Sequence, residues 1–294
     1  MTLSRLNFMT QIDQFESIFR AASKNQFEYQ DWAVQKVLTI SDGSREQTAA
    51  FEQLVQKFVS NAFETSPIQW NSCSGDDFSS VGELVEKVEQ ERPDLICSHR
   101  NLQIPADEFP YSLGVYIDVL TQATTFPVML LPHRTQTVDG VPWHDESKTV
   151  IAITDHLDGD ALIVNSAIKM TSEGGTLFLT HVEDEKSYLR FMNVIDKIAE
   201  IDSETAHEKI RRRLLLEPEN FVASCQAEIA RAELNLHVEP IVKMGNSLSD
   251  YREIVDSRQV DLVVMHTRDD DQQAMHGLAY PLTIEFRETP MLLI

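Results

Sequence analysis

One phrase of this sequence occurs twice, and that repetition constrains the fold more than any other feature. Asp94-Leu95-Ile96-Cys97-Ser98-His99 returns as Asp261-Leu262-Val263-Val264-Met265-His266. Each copy is followed by a glycine and, thirteen residues later, a proline: Gly114 and Pro127, then Gly277 and Pro290. Each set closes on an apolar run, Val128–Leu131 and Met291–Ile294. A spacing of 167 residues is far longer than the roughly 20–50 of solenoid repeats, so the pattern reads as one domain duplicated within a chain.

Size agrees, because 294 residues hold two domains that each bury a core. An apolar content of 42% with 8% aromatics describes a globular chain rather than a disordered one. The net charge of −22 argues against nucleic acid, whose binding needs a basic surface, and against anionic lipid. No apolar stretch reaches the ~18 residues of a membrane helix, and no basic-then-apolar leader opens the chain. Cys73, Cys97 and Cys225 are odd in number, widely spaced and in no C-x-x-C pair. They read as thiols of a reducing compartment, and the expected location is the cytoplasm.

Periodicity assigns the elements. Thr10 with Asp13, followed by the stripe Ile12, Phe15, Phe19 and Ala22, predicts a helix over 10–23. Val34–Ile40 is a β-branched run typical of a buried strand. Ser44 and Gln47 form an N-cap signature before a helix whose apolar face is Leu54, Val55, Phe58 and Val59. Strands at 68–73, 95–98 and 128–131 alternate with helices near 81–88 and 112–123. The second half repeats strand and helix from Thr149, with helices between Glu185 and Leu236, Pro218 placed at a first helical position, and strands at 237–244, 262–265 and 291–294. Such alternation predicts an α/β fold with a parallel sheet. The domains run 34–134 and 149–294, with an N-terminal helical extension at 1–33, a linker at 135–148 and a helical insertion at about 185–217.

Asp42 and Asp155 lie 113 residues apart, but Asp94 and Asp261 lie 167 apart, so the second half carries 54 extra residues between these landmarks. One strand with its helices accounts for that length. The first copy is therefore shortened, and its sheet should leave an edge or face exposed, with the N-terminal helix as the expected cover.

The ordered set of strand, Asp42-Gly43-Ser44 and helix, Gly-Asp before a helix, Asp-Leu-apolar-apolar, and a glycine thirteen residues before a Pro-apolar strand resembles the universal stress protein family in its tandem form. The resemblance covers about 34–131 and 149–294. It implies two open parallel five-stranded sheets with helices on both faces, paired within the chain through their last strands. In nucleotide-binding members of that family an aspartate after the first strand and a glycine motif after the fourth hold the ligand, beyond the carboxyl ends of the strands. Glycines there let backbone N–H groups close on phosphate oxygens.

Transferred residue by residue, the resemblance nominates Asp42 and Asp155 as the aspartates, and His99 and His266 at the first glycine position. Leu102 and Asp269 stand at the second, and Gly114 and Gly277 at the third. Val115 and Leu278 follow where a hydroxyl residue is the rule, and Asp269, Asp270 and Asp271 bring negative charge toward a phosphate site. His99 and His266 read either as ligand-contacting imidazoles or as loop-holding residues kept by both copies. Arg100 is a candidate anion contact. Asp42 and Asp155 read either as turn caps or as ribose or base contacts. Lys209 and Arg211–Arg213 read as a solvated helix face or a docking patch. No nucleophile constellation, Walker loop or metal spacing is present.

The expectation is a regulatory or binding module without catalytic turnover and with a degenerate nucleotide site. Two other classes stay open. One is an ATP-binding member with slow hydrolysis that uses Asp42 and the loop 98–114. The other is an interaction scaffold, a homodimer through the inserted helices or a complex with a further protein.

Overall fold

A computed structural model of the chain describes residues 26–59, 62–63, 67–132, 144–154, 161–198, 202–267 and 277–294. The first half supplies β1 (Lys36–Ile40), α1 (Arg45–Val59), β2 (Gln69–Cys73), α2 (Val81–Glu91), β3 (Leu95–His99), α3 (Val115–Ala123) and β4 (Val128–Leu131). The second supplies β5 (Thr149–Ile153), α4 (Ala161–Met170), β6 (Thr176–Asp184), α5 (Glu185–Ile195), α6 (Ser203–Arg231), β7 (His237–Gly245), α7 (Ser247–Arg258), β8 (Leu262–Met265), α8 (Ala279–Glu285) and β9 (Met291–Leu293).

These strands form a single nine-stranded sheet in the order β2-β1-β3-β4-β9-β8-β5-β6-β7. Every pairing is parallel except β4 with β9, which run antiparallel with Met129 opposite Leu292. The two halves thus repeat one topology, β2-β1-β3-β4 and β6-β5-β8-β9, and meet through their last strands. Five strands are found only in the second half. The shortened first half keeps four, and β7 with α5 and α6 accounts for the extra 54 residues between the matched aspartates.

Side chains alternate across the sheet with the strand period of two. Val37, Leu95, Met129, Ala152 and Leu292 face one layer, formed by α1, α4 and α6. Leu38, Ile96, Leu130, Ile151 and Leu293 face the other, formed by α2, α3, α7 and α8. Both faces are covered, which is why the strands read as continuous apolar runs.

Local signals act as the sequence suggests. Ser44 and Gln47 exchange hydrogen bonds as a capping box: Ser44 N–H donates to Gln47 Oε1 at 2.9 Å, and Gln47 N–H to Ser44 Oγ at 3.4 Å. Helices α2 and α7 both end on a left-handed residue, Arg92 (φ 46°) and Gln259 (φ 50°), two positions before the matched aspartates.

Pro218 departs from expectation, because α6 runs through it without interruption. An internal proline costs about 3 kcal/mol or more. Phe221, Val222, Cys225 and Ile229 bury on the sheet just beyond it, at roughly 1.5–3 kcal/mol for each large apolar side chain, so packing outweighs the local preference.

At the free edge of the first half, β2 carries Gln69, Asn71 and Ser72, polar side chains suited to an unpaired edge. The expected N-terminal helix lies outside the described residues, as does linker 135–143. Residues 26–35 reach across to the second half. Phe27 N–H donates to Ser224 Oγ on α6 at 3.1 Å, and Gln30 N–H to Asn165 Oδ1 on α4 at 3.0 Å.

Candidate functional site

Asp42 and His99 come together beyond the carboxyl ends of β1 and β3. Ile40 pairs with Ser98 across the two strands, and Ser98 Oγ donates to the Ile40 carbonyl at 3.1 Å. One residue further on, His99 Nε2 lies 3.3 Å from Asp42 Oδ1. Its Nδ1 lies 2.9 Å from the Arg100 carbonyl. Both ring nitrogens therefore lie beside oxygen atoms of the chain. The ring is buried and meets Phe51 of α1 edge-on at 5.4 Å.

The second oxygen of Asp42 is also taken. Gln103 N–H donates to Oδ2 at 2.9 Å. Partial burial pushes the Asp42 carboxyl up, but the His99 hydrogen bond and charge, with the Gln103 amide, outweigh it and hold the group at about 2.

The loop after β3 is folded back to reach this position. Asn101 (φ 58°) and Gln103 (φ 60°) adopt left-handed backbone. Asn101 N–H donates to the Leu113 carbonyl at 3.0 Å, and Asn101 Nδ2 to the Phe109 carbonyl at 3.1 Å. Gly114 caps α3 with φ 86°, and a Cβ there would stand 3.1 Å from Asn101 Cα. Glycine is therefore required twice over, by its dihedral and by the close approach. Gly75 serves the neighbouring turn: its N–H donates to the Gly43 carbonyl at 2.9 Å, and a Cβ would collide with the Asp42 carbonyl.

Arg100 does not join Asp42 and His99. Its side chain turns into the seam between the halves, where Nη2 contacts the Phe286 carbonyl at 3.2 Å and Met291 Sδ at 3.3 Å.

On the second half, His266 sits half-buried after β8, and Thr267 N–H donates to the Ile294 carbonyl at 2.9 Å. Arg100 N–H makes the matching bond to Leu131 at 3.0 Å. Gly277 is exposed, and a Cβ on it would meet nothing within 4 Å. Asp155 and Asp269–Asp271 lie outside the described residues.

Sequence reasoning missed Gln103 and Gly75 as parts of this site. Gln103 acts through its backbone, so no side-chain pattern marks it. Gly75 is visible only as a turn glycine. The basic run at Lys209–Arg213 lies on α6, where Arg213 pairs with Glu217 at 2.7 Å. A separate cleft of about 330 Å³ opens at the amino ends of β1 and β2, beside Trp32, Phe63 and Lys169. Among the described residues no group of three His, Cys, Asp or Glu could hold a metal ion, and no helix is long and apolar enough to cross a membrane.

Solved structures share this architecture. The fold is that of a putative universal stress protein. That protein, from Pseudomonas aeruginosa UCBPP-PA14, superimposes with a TM-score of 0.51 at 11% identity, over 90% of this chain and 94% of its own. A functionally unknown protein from Pseudomonas aeruginosa PAO1 matches with a TM-score of 0.50 at 12% identity, over 90% of this chain and 93% of its own. At such identities the likeness concerns the fold alone. No family model and no curated protein sequence matches the chain.

Proposed function

We propose that this chain is a tandem universal-stress-type protein that works in the cytoplasm as a non-catalytic regulatory or binding module. In this reading the aspartate of its first nucleotide crevice is engaged by the chain's own groups. The domains of this reading run 34–134 and 149–294, joined by a linker at 135–148. The observation that carries it is the double engagement of Asp42, by His99 Nε2 at 3.3 Å and by the Gln103 amide at 2.9 Å. A nucleotide held by Asp42 would have to displace both. Gly114, the one glycine of the motif that the first half keeps, lies close against Asn101, where a Cβ would stand 3.1 Å from its Cα. These residues do not fit an adenine nucleotide held in the manner that the family resemblance implies.

The test is mass spectrometry of the purified full chain after denaturation. This reading expects no stoichiometric adenine nucleotide, and a stoichiometric one would contradict it.

A second reading, an interaction scaffold that dimerises through the inserted helices, is favoured by α5. Tyr188 and Met192 bury its inner face, while Phe191 and Val194 stand 60% exposed beside Leu189 and Ile198. An apolar face of that kind is a common mark of an interface.

A further inference from the structure

Arg100 is an energetically costly residue in its place. Its side chain is 97% withdrawn from solvent, at 3% exposure, and its Nε has no hydrogen-bond partner among the described residues. Among the described residues Nη2 contacts the Phe286 carbonyl and the Met291 sulfur. No carboxylate among the described residues pairs with it. A guanidinium buried without a counter-charge costs several kcal/mol. Burial, and secondarily the like charge of Arg287, press Arg100 below its ordinary range, yet it stays cationic at neutral pH.

Arg287 directly follows Phe286, whose carbonyl Arg100 holds. It is half-buried, and its guanidinium stands 4.8 Å over the ring of Tyr111, itself 69% exposed. It too has no carboxylate partner among the described residues. Two guanidinium groups thus flank one turn at the seam of β4 and β9, without a neutralising partner among the described residues, in a chain of net charge −22.

We propose that the Arg100–Arg287 turn is an oxyanion-binding site, in which a phosphate or carboxylate group bridges the two guanidiniums and so joins the loop after β3 to the segment before β9. Planar guanidiniums match such oxygens in paired hydrogen bonds. Tyr111 fixes the outer arginine by stacking. The site lies apart from the Asp42 crevice and does not depend on how that crevice is used.

The test follows thermal unfolding of the full chain at neutral pH and constant ionic strength, with inorganic phosphate, acetate or chloride as the varied anion. Ligand that binds only the folded state raises the midpoint saturably. Saturable stabilisation by phosphate alone assigns a phosphate site, and by acetate as well a general oxyanion site. In both cases Arg287→Gln should shift the half-saturating concentration upward at least tenfold. Arg100→Met, which removes a buried charge at similar volume, should keep the fold and abolish the response. If no anion stabilises saturably, or if both variants respond as the parent does, the proposal is overturned.

Discussion

Asp94 and Asp261 perform the same task with the same atom. Oδ2 of Asp94 accepts from the Gln35 and Lys36 amides at 2.8 and 2.9 Å, and Oδ2 of Asp261 accepts from the Lys148 and Thr149 amides at 2.9 and 2.8 Å. Each carboxylate ties the start of the neighbouring strand in the sheet, β1 or β5, to the strand that follows the aspartate, β3 or β8. The repeated phrase in the sequence is therefore a structural device.

Removing these carboxylates should cost unequal amounts. Asp94 is exposed, whereas the Asp261 side chain is only 8% exposed and also meets His144. Charge-assisted hydrogen bonds contribute about 1.5–3 kcal/mol when buried and less in water. Asp261→Ala should lower stability by about 2 kcal/mol and Asp94→Ala by about 1 kcal/mol, read as shifts in the urea midpoint.

Asp42 predicts a pH dependence. Its carboxyl is held at about 2 against an ordinary 3.8. A lowered folded value means stability that is fully present above about pH 4 and lost as pH falls toward 2. Its size is at most about 2 kcal/mol by the conversion of one unit to 1.36 kcal/mol. Urea unfolding between pH 5 and pH 2 should show a shallower loss for Asp42→Asn than for the parent.

Two glycines should respond oppositely to alanine. At Gly75 the added methyl meets the Asp42 backbone, which cannot retreat without moving the site. Gly82, in the first turn of α2, meets nothing within 4 Å. Gly75→Ala should destabilise by more than about 2 kcal/mol, and Gly82→Ala should stabilise by about 0.5–1 kcal/mol through helix propensity. Thermal midpoints of the two variants decide it.

The three cysteines should be unreactive while the protein is folded. All are buried, and none is in a disulfide. Burial, with smaller contributions from neighbouring charges, pushes the Cys73 thiol up to about 11, and burial pushes Cys97 higher still. A chromogenic disulfide reagent should titrate no thiol promptly in the native state and three in denaturant.

The fold was legible because its signals are local or periodic: capping by Ser44 and Gln47, apolar runs in β3 and β8, and the aspartate spacing that revealed the extra strand. Pro218 shows where local preference yields to packing beyond its own turn. The site was legible only in part. The sequence brings Asp42 and His99 forward as candidates, but their contact depends on register between β1 and β3. Arg100 reads as an anion contact beside His99, yet its side chain is claimed by Phe286 and Met291, almost two hundred residues away in sequence. No spacing rule encodes that.

Calorimetric titration of the full chain with magnesium ATP at neutral pH tests the engagement of Asp42 by the chain's own groups most directly. The account predicts no binding that Asp42→Ala alters. Stoichiometric uptake of ATP by the parent that disappears in Asp42→Ala would contradict it.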